Sequence, residues 1–170
     1  MSKDLIGKKF VGTVVYNADP EKWARVKVSI KGLFDGYAVA DLPWVAVPQP
    51  VFRGAMGGAG GLLVPRVGSK VMVVFDNGEI NSGFVEGELV DKNSKRTALH
   101  ENYPNTYGFV DENGTVFKVN TVTKVLTVAH QGSSVVLGAS GNITVSSVGS
   151  VDVVAAGNVN ITAPNINLNV

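Results

Sequence analysis

The chain has 170 residues, a net charge of +1, 45% hydrophobic residues, only 17% charged residues and no cysteine. That length suits one ordinary domain, or a small domain with an extension, and the composition is too apolar for disorder throughout. The charge balance removes the electrostatic ground for expecting nucleic acid or an anionic membrane as partner, and the lack of cysteine excludes a disulfide framework and thiolate metal sites.

The charge is unevenly spread. Lys124 is the last Lys or Arg, and Asp152 is the only Asp, Glu, Lys or Arg after it. The first two-thirds read as a normal soluble domain and the last third does not. MSKDLIGKKF lacks the apolar stretch of a signal peptide, and no run of 18 apolar residues is present. The expectation is a protein folded in a cytoplasm. The Asn-x-Thr triplets at Asn113, Asn142 and Asn160 are then chance matches.

Five short strands are predicted in chain order. Lys8 to Tyr16 is rich in Val and Phe, and a turn follows at Asn17-Ala18-Asp19-Pro20. KWARVKVSI then alternates, with Ala24, Val26, Val28 and Ile30 on one face and Arg25, Lys27 and Ser29 on the other. Trp44 to Val47 is a third strand, stopped by Pro48. KVMVVF, Lys70 to Phe75, is apolar enough for burial on both faces. Asn77-Gly78 signals a two-residue hairpin, and Ile80 to Leu89 returns as the fifth strand. Five strands with turn signals and no convincing helix predict a small Greek-key barrel of the OB type.

Between the third and fourth strands, Arg53 to Gly68 is glycine-rich. It lacks the Lys-Ser/Thr pair of a phosphate loop and the Gly-x-Gly-x-x-Gly of a dinucleotide fold, so it reads as a long loop ordered by a partner. OB folds also bind single strands through aromatic and basic residues. The candidates are Trp23, Arg25, Lys27 and Tyr37; with a near-neutral chain, a solvated strand face is the favoured reading.

Asp91 to Phe109 is polar and reads as a linker, and Val110 to Ser134 as lead-in strands. The carboxylate pairs Glu86/Glu88 and Asp111/Glu112 lack any acid–base context, so no enzyme is expected.

The tail carries a repeat. Gly141, Gly149 and Gly157 are eight residues apart. Aliphatic residues follow each at the second and fourth positions: Ile143 and Val145, Val151 and Val153, Val159 and Ile161. Val135 and Leu137 precede in phase, and Ile166 and Leu168 follow after Pro164 shortens the period by one. Such repeats stack as solenoids. One strand and one turn per unit make one face of a three-sided prism, so three chains are expected to wind together. Val135, Leu137, Ile143, Val145, Val151, Val153, Val159, Ile161, Ile166 and Leu168 would fill the shared core, and the glycines would turn the corners. Thr144, Asp152, Asn160 and Asn167 would face water. The competing expectation is an amyloid-prone or disordered tail.

WARVKVSIKGLFDG, LPWVAVPQP, the Gly-rich loop and PRVGSKVMVVFDNGEINSGFVEGEL, in that order, resemble the OB domain of central spike proteins of contractile-tail phage baseplates. That family includes baseplate assembly protein V and the VgrG proteins of type VI secretion. The matching residues are Arg25-Val26-Lys27-Val28, Leu42-Pro43-Trp44, Pro65 through Phe75 and Gly87-Glu88-Leu89.

The resemblance, over about residues 5–90, implies an all-β protein: an OB-fold barrel at 1–90, a linker at 91–109 and an intertwined trimeric β-helix at 110–170. It implies a homotrimeric spike in the virion tail baseplate, assembled in the host bacterial cytoplasm, bound to a hub above the barrel and piercing the outer membrane when the sheath contracts. No cofactor and no nucleic acid are implied. Some members end in a His-x-His iron tip; here His100 and His130 are the only histidines and lie far apart, so no metal site is expected and a separate PAAR-like tip protein is. The rival function is an oligomeric OB-fold protein that binds single-stranded nucleic acid.

Overall fold

The computed structural model describes residues 5–50 and 60–167. The chain divides into two compact units, Met1–Lys95 and Arg96–Val170. All ten strands are antiparallel to their sheet neighbours, and no α-helix occurs among the described residues.

The first unit is the predicted barrel. Its strands are β1 (Lys9–Tyr16), β2 (Val26–Ser29), β3 (Trp44–Val45), β4 (Lys70–Phe75) and β5 (Gly83–Leu89), in the order β3-β2-β1-β4-β5. Just beyond β3, Ala46 closes the barrel. Its N–H donates to Gly83 O at 2.9 Å and its carbonyl accepts from Val85 N at 2.8 Å, a parallel bridge onto β5. The cyclic order 1-2-3-5-4 is that of an OB fold. Bulges in β1 between Val14 and Tyr16, and in the β4–β5 ladder between Met72 and Val73, supply the curvature.

The predicted alternation of β2 is realised: Ala24, Val26, Val28 and Ile30 are buried with Val14, Val45, Val71, Val73 and Phe75. Gly12 lets β2 close over β1. A Cβ there would clash with the Val28 side chain and lie 2.9 Å from Ile30 Cγ1.

Three local expectations are corrected. β4 buries Val71, Val73 and Phe75, but Met72 and Val74 are only half-buried, so it is not a two-faced core strand. The β4–β5 connection is longer than a two-residue turn. Asn77 and Gly78 do adopt the positive φ that the dipeptide favours, +50° and +73°. They sit, however, in the first of two successive tight turns, closed by Glu79 N to Asp76 O and Ser82 N to Glu79 O, both 2.9 Å, and pairing resumes only at Gly83. Lys27 is buried rather than solvated, because the Val39–Asp41 turn folds over that side of β2.

The second unit is a five-stranded meander of β6 (Thr106–Val110), β7 (Val116–Asn120), β8 (Val125–His130), β9 (Ser133–Leu137) and β10 (Ile143–Ser146). The first three of its four turns have a visible cause. Asp111 Oδ1 accepts from Asn113 N and Thr115 N at 2.9 and 2.8 Å, and Asn120 Oδ1 from Val122 N and Thr123 N, both at 3.0 Å. Gln131 and Gly132 form a two-residue hairpin with positive φ at both positions. β6 starts inside the stretch expected as a linker. Residues 110–146 run as a meander within one chain, and residues 147–167 form no strand. A strand needs a neighbour to receive its hydrogen bonds, and a single chain provides none for that segment.

Candidate functional site

The antiparallel register of the second sheet puts two apolar rows on one face. One row is Tyr107, Val119, Leu126, Leu137 and Ile143; the other is Phe109, Phe117, Val128, Val135 and Val145. The rows are two residues apart along every strand, hence on the same side. Phe109 and Phe117 stack with centroids 5.2 Å apart. The other side carries Thr106, Lys118, Asn120, Thr127 and Thr144, and there Lys118 Nζ pairs with Glu101 at 2.7 Å. So one face is apolar except for the His130–Ser133 pair at its margin, and the other is mixed.

The apolar face is uncovered. Of the expected trimer-core residues, Val135 and Leu137 are 38% and 39% exposed on β9, and Ile143 and Val145 are 69% and 59% exposed on β10. Val151, Val153, Val159, Ile161 and Ile166 are 53–71% exposed on the strandless segment. The sheet thus brings the first four together, while the next five meet no partner in one chain; Leu168 lies outside the described residues. Leaving an aliphatic side chain in water forgoes roughly 1.5–3 kcal/mol each, and an apolar surface this continuous marks an interaction site.

Six members of the face were not singled out from sequence: Tyr107, Phe109, Phe117, Val119, Leu126 and Val128. Their signal is the same two-residue spacing, Tyr-x-Phe, Phe-x-Val and Leu-x-Val, outside the glycine repeat that framed the tail. The glycines themselves need correction. Gly141 turns with φ +84°, but Gly149 and Gly157 have no positive φ, and a Cβ on either would meet nothing within 4 Å. In one chain they turn no corner.

Among the aromatic and basic candidates of the barrel, Arg25 is fully engaged. Arg25 lies 4.7 Å from the Trp23 ring centroid and 5.3 Å from that of Trp44, and its Nε and Nη2 donate to Asp19 at 2.9 and 2.8 Å. The Arg25 guanidinium holds the Asp19 carboxyl far below its ordinary range, aided by bonds from the backbone N–H groups of Glu21, Trp23 and Arg25 and opposed by burial; the Arg25 pKa is raised in turn. Tyr37 packs edge-on against Phe34 at 5.8 Å.

The carboxylate pairs are structural as well. Glu86 pairs with Lys9, and Asp111 caps its turn. His100 packs on Tyr103, and His130 Nδ1 lies 2.9 Å from Thr115 Oγ1. Among the described residues no group of three His, Cys, Asp or Glu side chains is placed to hold a metal. Of the Gly-rich loop, residues 53–59 lie outside the described residues. Its end is held to the barrel by Gln49, whose amide accepts from Leu63 N at 2.6 Å and donates to Leu63 O at 3.1 Å.

No curated protein matches the chain. Residues 10–89, from the second residue of β1 to the last of β5, match the family described as the Type VI secretion system/phage-baseplate injector OB domain, a likeness that supports, at a coarse level, a structural place in a baseplate.

Proposed function

We propose that the protein is the central spike of a contractile-tail baseplate, a homotrimer whose barrels attach to a hub and whose C-terminal strands join into a triple-stranded β-helix. The observation that carries this reading is the uncovered apolar face of the second sheet, continued in phase by Val151, Val153, Val159, Ile161 and Ile166. Three copies would bury one another's apolar rows and pair the open edges of β6 and β10, which otherwise invite uncontrolled association. The role is mechanical rather than catalytic. A prism with its backbone fully hydrogen-bonded transmits the thrust of sheath contraction to the outer envelope, and a separate tip protein of the PAAR type completes its end.

Light scattering on the purified full chain tests the assembly, with three chain masses expected; a monomer would refute the reading. Val153→Asp should place three carboxylates in one dry layer, which costs far more than one aliphatic contact. The expected outcome is loss of the trimer with the barrel still folded; an unaltered trimer would remove Val153 from the core. Capture of a small tip protein by the trimer, and not by the variant, would support the partner assignment.

A further inference from the structure

Lys27 is nine-tenths buried on β2, yet among the described residues no carboxylate is paired with it. Its Nζ donates to Val39 O at 3.1 Å and Ala40 O at 2.6 Å and lies 5.1 Å from the Trp44 ring centroid. Two carbonyls and a ring face solvate the ammonium, but they do not neutralise it, and one of its three donors is left over. Arg25 differs, since Asp19 binds it through two bonds and Glu21 lies 3.5 Å away.

Both cations line an open groove of about 670 Å³ on the barrel. Trp44 and Phe84 give it apolar surface, and Asp76, Asn81 and Ser82 give it hydrogen-bonding groups. A site with one uncompensated cation, one carboxylate and aromatic surface suits a ligand with a single anionic group on an otherwise neutral, hydrogen-bonding strand. A phosphodiester chain fits it poorly, because it brings a charge with every nucleotide and would meet Asp76.

We propose that this groove docks an extended segment of a partner protein, an acidic side chain of which takes the remaining Lys27 donor. The groove lies wholly within the barrel unit, so the proposal stands whether or not the C-terminal unit assembles as a trimer.

The test is selection of a random peptide library on the full chain, followed by anisotropy titration of the recovered peptides. The expected result is an enriched Asp or Glu whose amide replacement weakens binding about tenfold or more, as loss of a charge-assisted bond should. Lys27→Met should weaken binding equally, and Lys92→Met, at an exposed position elsewhere, should not change it. Lys27 also pins the Val39–Asp41 turn, so Lys27→Met could unfold the barrel; Ser82→Trp, at an exposed position, fills the groove with Lys27 intact and should also abolish binding. The proposal is overturned if no peptide is recovered, if the recovered peptides share no acidic position, if Lys27→Met and Ser82→Trp both bind normally, or if an oligothymidylate displaces the peptide at a lower concentration than a second copy of the peptide does. Light scattering on the same samples reads the oligomeric state separately.

Discussion

Asp19 organises the β1–β2 turn almost alone. Its side chain is 3% exposed and accepts five hydrogen bonds, three from backbone N–H groups and two from Arg25. The turn holds Lys22 and Ala24 at positive φ, +58° and +63°, which residues bearing a Cβ resist. Because the Asp19 pKa is lower in the folded chain than in the unfolded one, the unfolded chain binds the extra proton. The stabilisation is therefore complete above about pH 4 and is lost as pH falls toward the folded-state value. Asp91, held down to about 2 chiefly by Lys70 at 2.7 Å, acts in the same window. Trp23 and Trp44 fluorescence should report a barrel melting temperature that falls on acidification below pH 4, and Asp19→Asn should start lower and flatten the profile. An unchanged profile would take Asp19 out of the acid response. The sequence shows that Asn17-Ala18-Asp19-Pro20 is a turn, but a carboxylate's reach to a residue six positions on depends on backbone geometry that no local pattern encodes. Lys27 was misread for a related reason: alternation assigns it to the outer face, and the covering turn comes from Val39–Asp41, twelve residues away.

At the scale of elements, the β1–β2 contact depends on a missing side chain. Gly12→Ala should force Val28 and Ile30 aside and destabilise the barrel by about 1–3 kcal/mol, the usual cost of overpacking a core. Gly87→Ala on β5, where a Cβ meets nothing within 4 Å, should stay within about 0.5 kcal/mol. Urea midpoints of the two variants check this, and equal midpoints would mean that β1 and β2 have room to separate. The barrel strands were legible because β2 alternates cleanly and the others are short apolar stretches bounded by turn residues. Strand β6 was not: Thr106 to Val110 follows a long polar stretch, and its two aromatics become a pattern only when Phe117 and Val119 are set opposite them. The Gln131-Gly132 hairpin was hidden by a dipeptide less diagnostic than Asn-Gly, while Asn77-Gly78, with the stronger signal, sits in a longer loop. Turn dipeptides report the sign of φ more faithfully than they report loop length. On the same reasoning Phe109→Ser, in the stretch expected to be a linker, should weaken assembly as a change in the repeat does, and light scattering against concentration reads it. No change would place β6 outside the interface.

For the whole molecule, the two units are stabilised by different means. The barrel has its own core in one chain, from Leu5 through Val85. The second unit buries few large apolar residues, with Leu99 the one below 9% exposure among those described, and it presents its apolar rows to the outside. The glycine repeat was legible in the sequence because it is strictly local, but the shape it builds is not, since one chain offers residues 147–167 no neighbouring strand. If copies of the same chain supply that neighbour, the stability of the second unit contains a mass-action term and that of the barrel does not. Calorimetry over a hundredfold range of protein concentration should then show two transitions. The one assigned to the barrel, followed by tryptophan fluorescence, should hold its midpoint, because Trp23 and Trp44 both lie in that unit. The other should rise with concentration. In Val153→Asp the concentration-dependent transition should vanish while the barrel transition remains. Two transitions that both ignore concentration would mean that the apolar face is covered within one chain, and the spike reading would lose its support.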